Sequence, residues 1–190
     1  MKEHDWRDGW LRRARSARSP NFGPRPESMQ VDLVVLHSIS LPPGEYGGDA
    51  IERLFANELD WNTHPYFEKI RGLTVSSHFL IRRDGELVQF VSCDDRAWHA
   101  GASHWAGRDD CNDFSVGIEL EGADDVPYTD VQYEALATLI KALRRAYPKL
   151  RRTDVVGHSH VSPGRKTDPG PAFDWDRLTR LLAARRPRRK

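Results

Sequence analysis

The spacing of apolar residues changes character along the chain, and each change predicts an element. Residues 33–36, Leu-Val-Val-Leu, form a continuous apolar run rich in β-branched side chains, which predicts a buried central strand. Residues 41–48 carry two prolines and three glycines and predict a loop. Asp49 is positioned to cap a short helix with Ile51, Leu54 and Phe55 on one face. Residues 60–72, which include Pro65, have no period and are expected to be irregular. Two strand-like runs, 78–81 and 86–91, flank Asp84-Gly85, a strong hairpin signal. Residues 93–113 lack periodicity and predict a long loop, whereas 114–121 alternate and predict another strand. Thr129 and Gln132 fit a capping box for a helix ending near Pro148. Its inner stripe reads Val131, Ala135, Leu139 and Ala142, with Leu136, Ile140 and Leu143 alongside. A short strand at Val155-Val156 follows, and Asp174 caps a last helix presenting Trp175, Leu178, Leu181 and Leu182. Residues 6–17 have some helical spacing before Pro20, Pro24 and Pro26 break it. Strands alternating with helices predict the α/β class, one domain with a mixed central sheet flanked by helices. The expected organisation is an N-terminal arm over 1–28, a catalytic domain over 29–184 and a basic tail over 185–190.

Composition narrows the partners. The 190 residues suffice for one domain with a full core. Charged residues make up 30% yet sum to a net charge of only +1, so no global attraction to nucleic acid or membrane is expected. The first 20 residues are charged throughout and no run is long enough to span a bilayer. The two cysteines, Cys93 and Cys111, are expected to be free thiols, which fits a cytoplasmic protein. A monomer is expected.

The chemistry concentrates in residues 157–171, Gly-His-Ser-His-Val-Ser-Pro-Gly-Arg-Lys-Thr-Asp-Pro-Gly-Pro. His158 follows a short strand, and Asp168 lies beyond Pro163-Gly164, where the loop can fold back. The 33–36 strand ends in His37. Two histidines and one carboxylate suit Zn2+ with a position left open, the arrangement of a metallohydrolase. Such a site needs a base that is not itself a ligand. Glu119 and Glu121 share one face of a strand whose other face is apolar. Glu119 is the expected base, because Glu121 adjoins Gly122 at the strand end and is expected to be solvated. Lys166 is placed to face a developing oxyanion, and Arg165 to hold a substrate carboxylate. His78 and His99 are expected in structural hydrogen bonds, His64 and His104 are expected to be loop residues, and His160 is read as peripheral.

Five segments resemble a known family: Leu36-His-Ser-Ile-Ser-Leu-Pro-Pro-Gly-Glu45, Ser77-His-Phe-Leu-Ile-Arg-Arg-Asp-Gly85, Arg96-Ala-Trp-His-Ala-Gly101, Asn112-Asp-Phe-Ser-Val-Gly-Ile-Glu-Leu-Glu-Gly122 and Gly164-Arg-Lys-Thr-Asp-Pro-Gly-Pro-Ala-Phe-Asp-Trp175. They are similar to the cytoplasmic N-acetylmuramoyl-L-alanine amidases of the AmpD type, over nearly the whole chain. The resemblance implies a mixed sheet related to phage amidases and peptidoglycan recognition proteins. It implies zinc-dependent cleavage of the amide between the lactyl group of 1,6-anhydro-N-acetylmuramic acid and L-alanine in muropeptides, during cell-wall recycling. The family's zinc ligands map onto His37, His158 and Asp168, its catalytic residues onto Glu119 and Lys166, and its substrate contacts onto Tyr66 and Arg165. Two departures stand out. Ser38 replaces an expected Asn, and Thr74 replaces an expected basic residue, so both bear on substrate contacts rather than on the reaction. The alternatives to a recycling amidase are a metal-free muropeptide-binding module and an amidase of intact wall polymer.

Overall fold

The computed structural model describes residues 5–150 and 154–184. In chain order the strands are β1 (Trp6–Arg7), β2 (Trp10–Leu11), β3 (Arg15–Ser16), β4 (Phe22–Pro24), β5 (Leu33–Ile39), β6 (Phe79–Ile81), β7 (Leu87–Gln89), β8 (Asp95–Ala97), β9 (His104–Trp105), β10 (Arg108–Asp109), β11 (Ser115–Glu121) and β12 (Val155–Gly157). The helices are α1 (Ala50–Ala56), α2 (Pro65–Lys69), α3 (Asp130–Ala146), α4 (His158–Val161) and α5 (Trp175–Ala183). Six strands form one sheet in the order β12-β5-β11-β6-β7-β3. It is mixed: β12, β5, β11 and β6 run parallel, and β6 and β7 are antiparallel.

Alternation along the central strands divides the molecule into layers. Val34 and Leu36 of β5, with Val116, Ile118 and Leu120 of β11, face the core that α3 covers with Leu136, Leu139, Ile140 and Leu143. Across the outer strands, Leu80 and Val88 pack against Ile51, Leu54 and Phe55 of α1 and Phe67 of α2. Leu33 and Val35 join Cys111, Phe114 and Val161 in a third cluster. That cluster ends where β5 reaches His37 and β11 reaches Glu119, so polar side chains crown the carboxyl ends of parallel strands.

Four expectations change. Residues 6–17 form strands and turns rather than a helix, because Leu11 is buried and β3 pairs with the edge of the sheet. Residues 60–72 contain α2, whose N-cap is His64 and whose first residue is Pro65. Proline suits that position, where its fixed φ is already helical and its missing N–H is no loss. Residues 93–113 hold three short strands and a 3-10 turn. Val131, expected on the inner stripe of α3, is 45% exposed, and Tyr133 and Ala137 are buried instead. Thr129 does make the capping box with Gln132, and Cys93 and Cys111 are free and buried. The expected basic tail lies outside the described residues. No helix among the described residues is long and apolar enough to cross a membrane.

Candidate metal centre and cleft

His37 and Glu119 are register partners on adjacent parallel strands, so both project from the same edge of the sheet. His158 begins α4, directly after β12, which pairs with β5 on the other side. The following loop folds back through a Ser159 N–H donated to the Asp168 carbonyl at 3.0 Å. This return requires glycine at position 157, where a Cβ would sit 2.8 Å from the Pro169 ring. Asp168 thereby meets both histidines.

The three side chains converge tightly. His37 Nδ1 and His158 Nδ1 are 3.0 Å apart, and each is 3.1 Å from Asp168 Oδ2. Both histidines are buried. The partners of their other ring nitrogens decide what occupies the space between them. His158 Nε2 lies 3.0 Å from the Ala100 carbonyl, an acceptor only, so the imidazole proton is there and Nδ1 offers a lone pair. His37 Nε2 lies 3.0 Å from His99 Nδ1. Burial holds His37 down at about 4, despite the Asp168 carboxylate, so a second proton on it is disfavoured at neutral pH. Lone pairs and an anionic oxygen facing one another at 3.0–3.1 Å call for a cation between them. Two imidazoles and a carboxylate form the donor set of a three-ligand zinc site. The residues present therefore fit a divalent metal.

The triad lines a cleft of about 730 Å³. Glu119, Lys166, Arg165, Tyr66, Ser38, Thr74, His99 and Asp124 all line it, so every residue singled out from the sequence for chemistry or substrate contact reaches one space. Residues from 41–43 and from 66–75 form its walls. Among the described residues no hydrogen bond or ion pair holds the buried Glu119 carboxylate. Burial, and then the neighbouring Asp168, push it well above the usual carboxylate range, while Lys166 pulls the other way. Arg165 donates from Nη2 to the carbonyls of Ala100 and Ala102 at 2.6 and 2.8 Å and to Ser162 Oγ at 2.7 Å. Ser38 Oγ donates to Asp124 Oδ1 at 3.0 Å.

Glu121 overturns an expectation. It is buried rather than solvated, accepting from the N–H of Gly47 at 2.7 Å, the N–H of Arg83 at 3.0 Å and the Arg82 guanidinium at 3.1 Å. His160 is likewise more than peripheral, accepting the Gly157 N–H at 2.8 Å, while His64, a loop residue as expected, caps α2 by accepting the Tyr66 N–H at 3.1 Å. His99 lines the cleft and is hydrogen-bonded as well. Its own backbone and that of the next residue are pinned by Asn112, whose Oδ1 accepts from the N–H groups of His99 and Ala100 at 3.1 and 2.8 Å. Its involvement was foreshadowed by Ser115 and Gly117, small residues on the same β11 face as Glu119, which leave room for a ring.

Comparison with known proteins places this geometry in a family. Residues 27–171 match the family described as N-acetylmuramoyl-L-alanine amidase. The 1,6-anhydro-N-acetylmuramyl-L-alanine amidase AmpD of Escherichia coli strain K12 is 53% identical over 175 residues, covering 92% of this chain and 95% of the relative. A crystal structure of a selenomethionine AmpD derivative superposes with a TM-score of 0.90 at 53% identity, covering 93% of this chain and 98% of the other. The AmpDh3 protein of Pseudomonas aeruginosa, solved in complex with anhydromuramic pentapeptide, has a TM-score of 0.58 at 29% identity. That match covers 95% of this chain and 65% of AmpDh3.

Proposed function

The chain belongs to the N-acetylmuramoyl-L-alanine amidase family, and from that membership we propose a zinc-dependent hydrolase of 1,6-anhydro-muropeptides. The bond cut is the amide between the lactyl carbonyl of 1,6-anhydro-N-acetylmuramic acid and L-alanine. The setting is cytoplasmic recycling of cell-wall fragments. The observation that carries the reading is the triangle of His37 Nδ1, His158 Nδ1 and Asp168 Oδ2 beside an unpartnered Glu119. The names of the similar proteins support the substrate, since AmpD is named for anhydro-muramyl-L-alanine cleavage and AmpDh3 was solved with an anhydromuramic peptide.

Held by His37, His158 and Asp168, a zinc ion supplies Lewis-acid polarisation of the scissile carbonyl and makes water nucleophilic at neutral pH. The residues of the chain do the rest. Glu119 takes a proton from the attacking water and later passes it to the departing L-alanine nitrogen. Burial, which raises its pKa, favours the protonated form that it needs when it acts as an acid. Lys166 presents a fixed positive charge to the oxyanion of the tetrahedral intermediate. Tyr66, Arg165 and Ser38 contact the substrate from the cleft walls. With Arg165 Nη2 engaged by loop carbonyls, its remaining donors are the ones offered to a peptide carboxylate.

The deciding experiment incubates anhydro-muramoyl-tripeptide with protein of known zinc content, beside a chelated control, and identifies products by mass spectrometry. Release of free tripeptide only in the zinc-loaded sample is expected. A zinc-loaded protein that leaves this substrate, reducing-sugar muropeptides and intact sacculi uncut would sink the hydrolase reading.

A further inference from the structure

The candidate zinc site requires His37 to carry its proton on Nε2, and a hydrogen-bond chain running away from the cleft dictates that choice. The chain begins at the carbonyl of Cys111, which can only accept. Ser115 Oγ lies 2.5 Å from it, and Ser115 has one hydroxyl proton, so that proton points at the carbonyl. Towards its other neighbour, His99 Nε2 at 3.1 Å, the hydroxyl can then only accept, and Nε2 is the protonated nitrogen of His99. A neutral imidazole has one proton, so His99 Nδ1 is an acceptor. It faces His37 Nε2 at 3.0 Å, which must donate. His37 Nδ1 is thereby left bare, towards His158 and Asp168. Each link has one direction, and the direction is set by a backbone carbonyl two side chains away from the ligand.

The scaffold holds this chain in place. The His99 ring lies against Gly117, where a Cβ would approach its Cγ to 2.4 Å, so no larger residue fits beneath it. The His37 and His99 rings meet edge to face at 5.1 Å between centroids. His158 is set by a different device, the Ala100 carbonyl at 3.0 Å, with the Arg165 guanidinium farther off at 3.5 Å.

We propose that His99 and Ser115 are positioning residues that lock His37 into its metal-binding tautomer, a role that rests on the metal reading of the triad. Outer partners of this kind fix which nitrogen of a ligand histidine is free, and losing one typically weakens metal affinity 10- to 100-fold.

The test uses the full chain and two readouts. Long-range 1H–15N spectra of the metal-free protein report the histidine tautomers, and competition with a chromophoric chelator reports zinc affinity. In the unmodified protein His37 is expected as a single Nε2–H tautomer. Ser115→Ala removes the anchor, so the His37 signals should show both tautomers and zinc affinity should fall about tenfold. His99→Asn puts an amide oxygen where Nδ1 stood, an acceptor that needs no anchor. Zinc affinity is expected to stay within a few-fold of the unmodified protein. Adding Ser115→Ala in that background should cost less than twofold. Equal losses from Ser115→Ala in both backgrounds would overturn the proposal, because Ser115 would then act on folding alone. An unchanged His37 tautomer with unchanged affinity in Ser115→Ala would overturn it too. An unmodified protein that binds no zinc would refute the metal reading instead, and the tautomer of metal-free His37 would still decide the chain.

Discussion

Two buried side chains make opposite demands on protons. Glu119, the proposed acid-base group, has no fixed partner among the described residues, and Glu119→Gln keeps its volume while removing its ability to take a proton. The expected result is a fall in kcat of about 10²- to 10⁴-fold with zinc still bound, read by peptide release alongside metal analysis. A variant with near-normal turnover would remove Glu119 from the reaction. His78 shows the other demand. It accepts from the Gly117 N–H at 3.0 Å and faces the Asp95 carbonyl at 3.1 Å. Burial, and then the nearby Arg25, depress it to about 3. In the unfolded chain it titrates near 6.5. Between those values the unfolded state takes up a proton that the native state refuses, so stability falls as pH falls. From pH 6 to 5 this one group should cost about 1 kcal/mol. Urea unfolding of the metal-free protein at those two pH values should show a slope smaller by that amount in His78→Asn, and equal slopes would refute the assignment.

At the level of elements, the sequence was legible where a local signal and the tertiary environment agreed. The β5 run, the Asp84-Gly85 hairpin and the Thr129–Gln132 box all formed as their patterns dictate. In the box the Thr129 hydroxyl accepts the Gln132 N–H at 3.3 Å and also donates to the Arg83 carbonyl at 2.8 Å. Thr129→Ala therefore loses a cap and a tie to the neighbouring hairpin, and should lower stability by about 1–2 kcal/mol in denaturant unfolding. A change of only a few tenths would mean that the helix is held by packing alone. Legibility failed where tertiary context overrode local spacing. The helical spacing of residues 6–17 yielded to sheet pairing and burial of Leu11. Pro65, within a stretch expected to be irregular, opens α2 because His64 caps it with a ring nitrogen, a role with no strong sequence signal. Of the short strands in 93–113, β8 arises from pairing with distant residues, as Phe22 does with Ala97, while β9 and β10 pair only with each other over two residues each, too short for any period to show.

Across the whole molecule, one strand separates stability from chemistry. The carboxyl ends of parallel strands gather the site, as open α/β sheets generally arrange, and β11 carries two glutamates there on one face. Both pack out of water, yet only one is held. Glu121 ties β11 to the Arg82–Arg83 corner and to the cleft loop at Gly47, and Arg82 continues to Glu52 at 2.6 Å and so to Arg15. Alternation made the shared face readable from sequence. Which glutamate is held depends on the distant Arg82 and Gly47, so the solvated reading of Glu121 failed. The same substitution at the two positions should then act oppositely. Glu121→Gln leaves the largely buried Arg82 with one fewer counter-charge and should cost about 2–3 kcal/mol in the metal-free protein, while retaining most of kcat. Glu119→Gln replaces a buried carboxylate that lacks a partner and should be neutral or stabilising, while abolishing most of kcat. Parallel urea unfolding and turnover assays on the two variants compare them directly. Equal destabilisation would mean that Glu119 is a structural group like its neighbour. A loss of rate in Glu121→Gln as deep as in Glu119→Gln would mean that the Gly47 loop, rather than Glu119 alone, governs the chemical step.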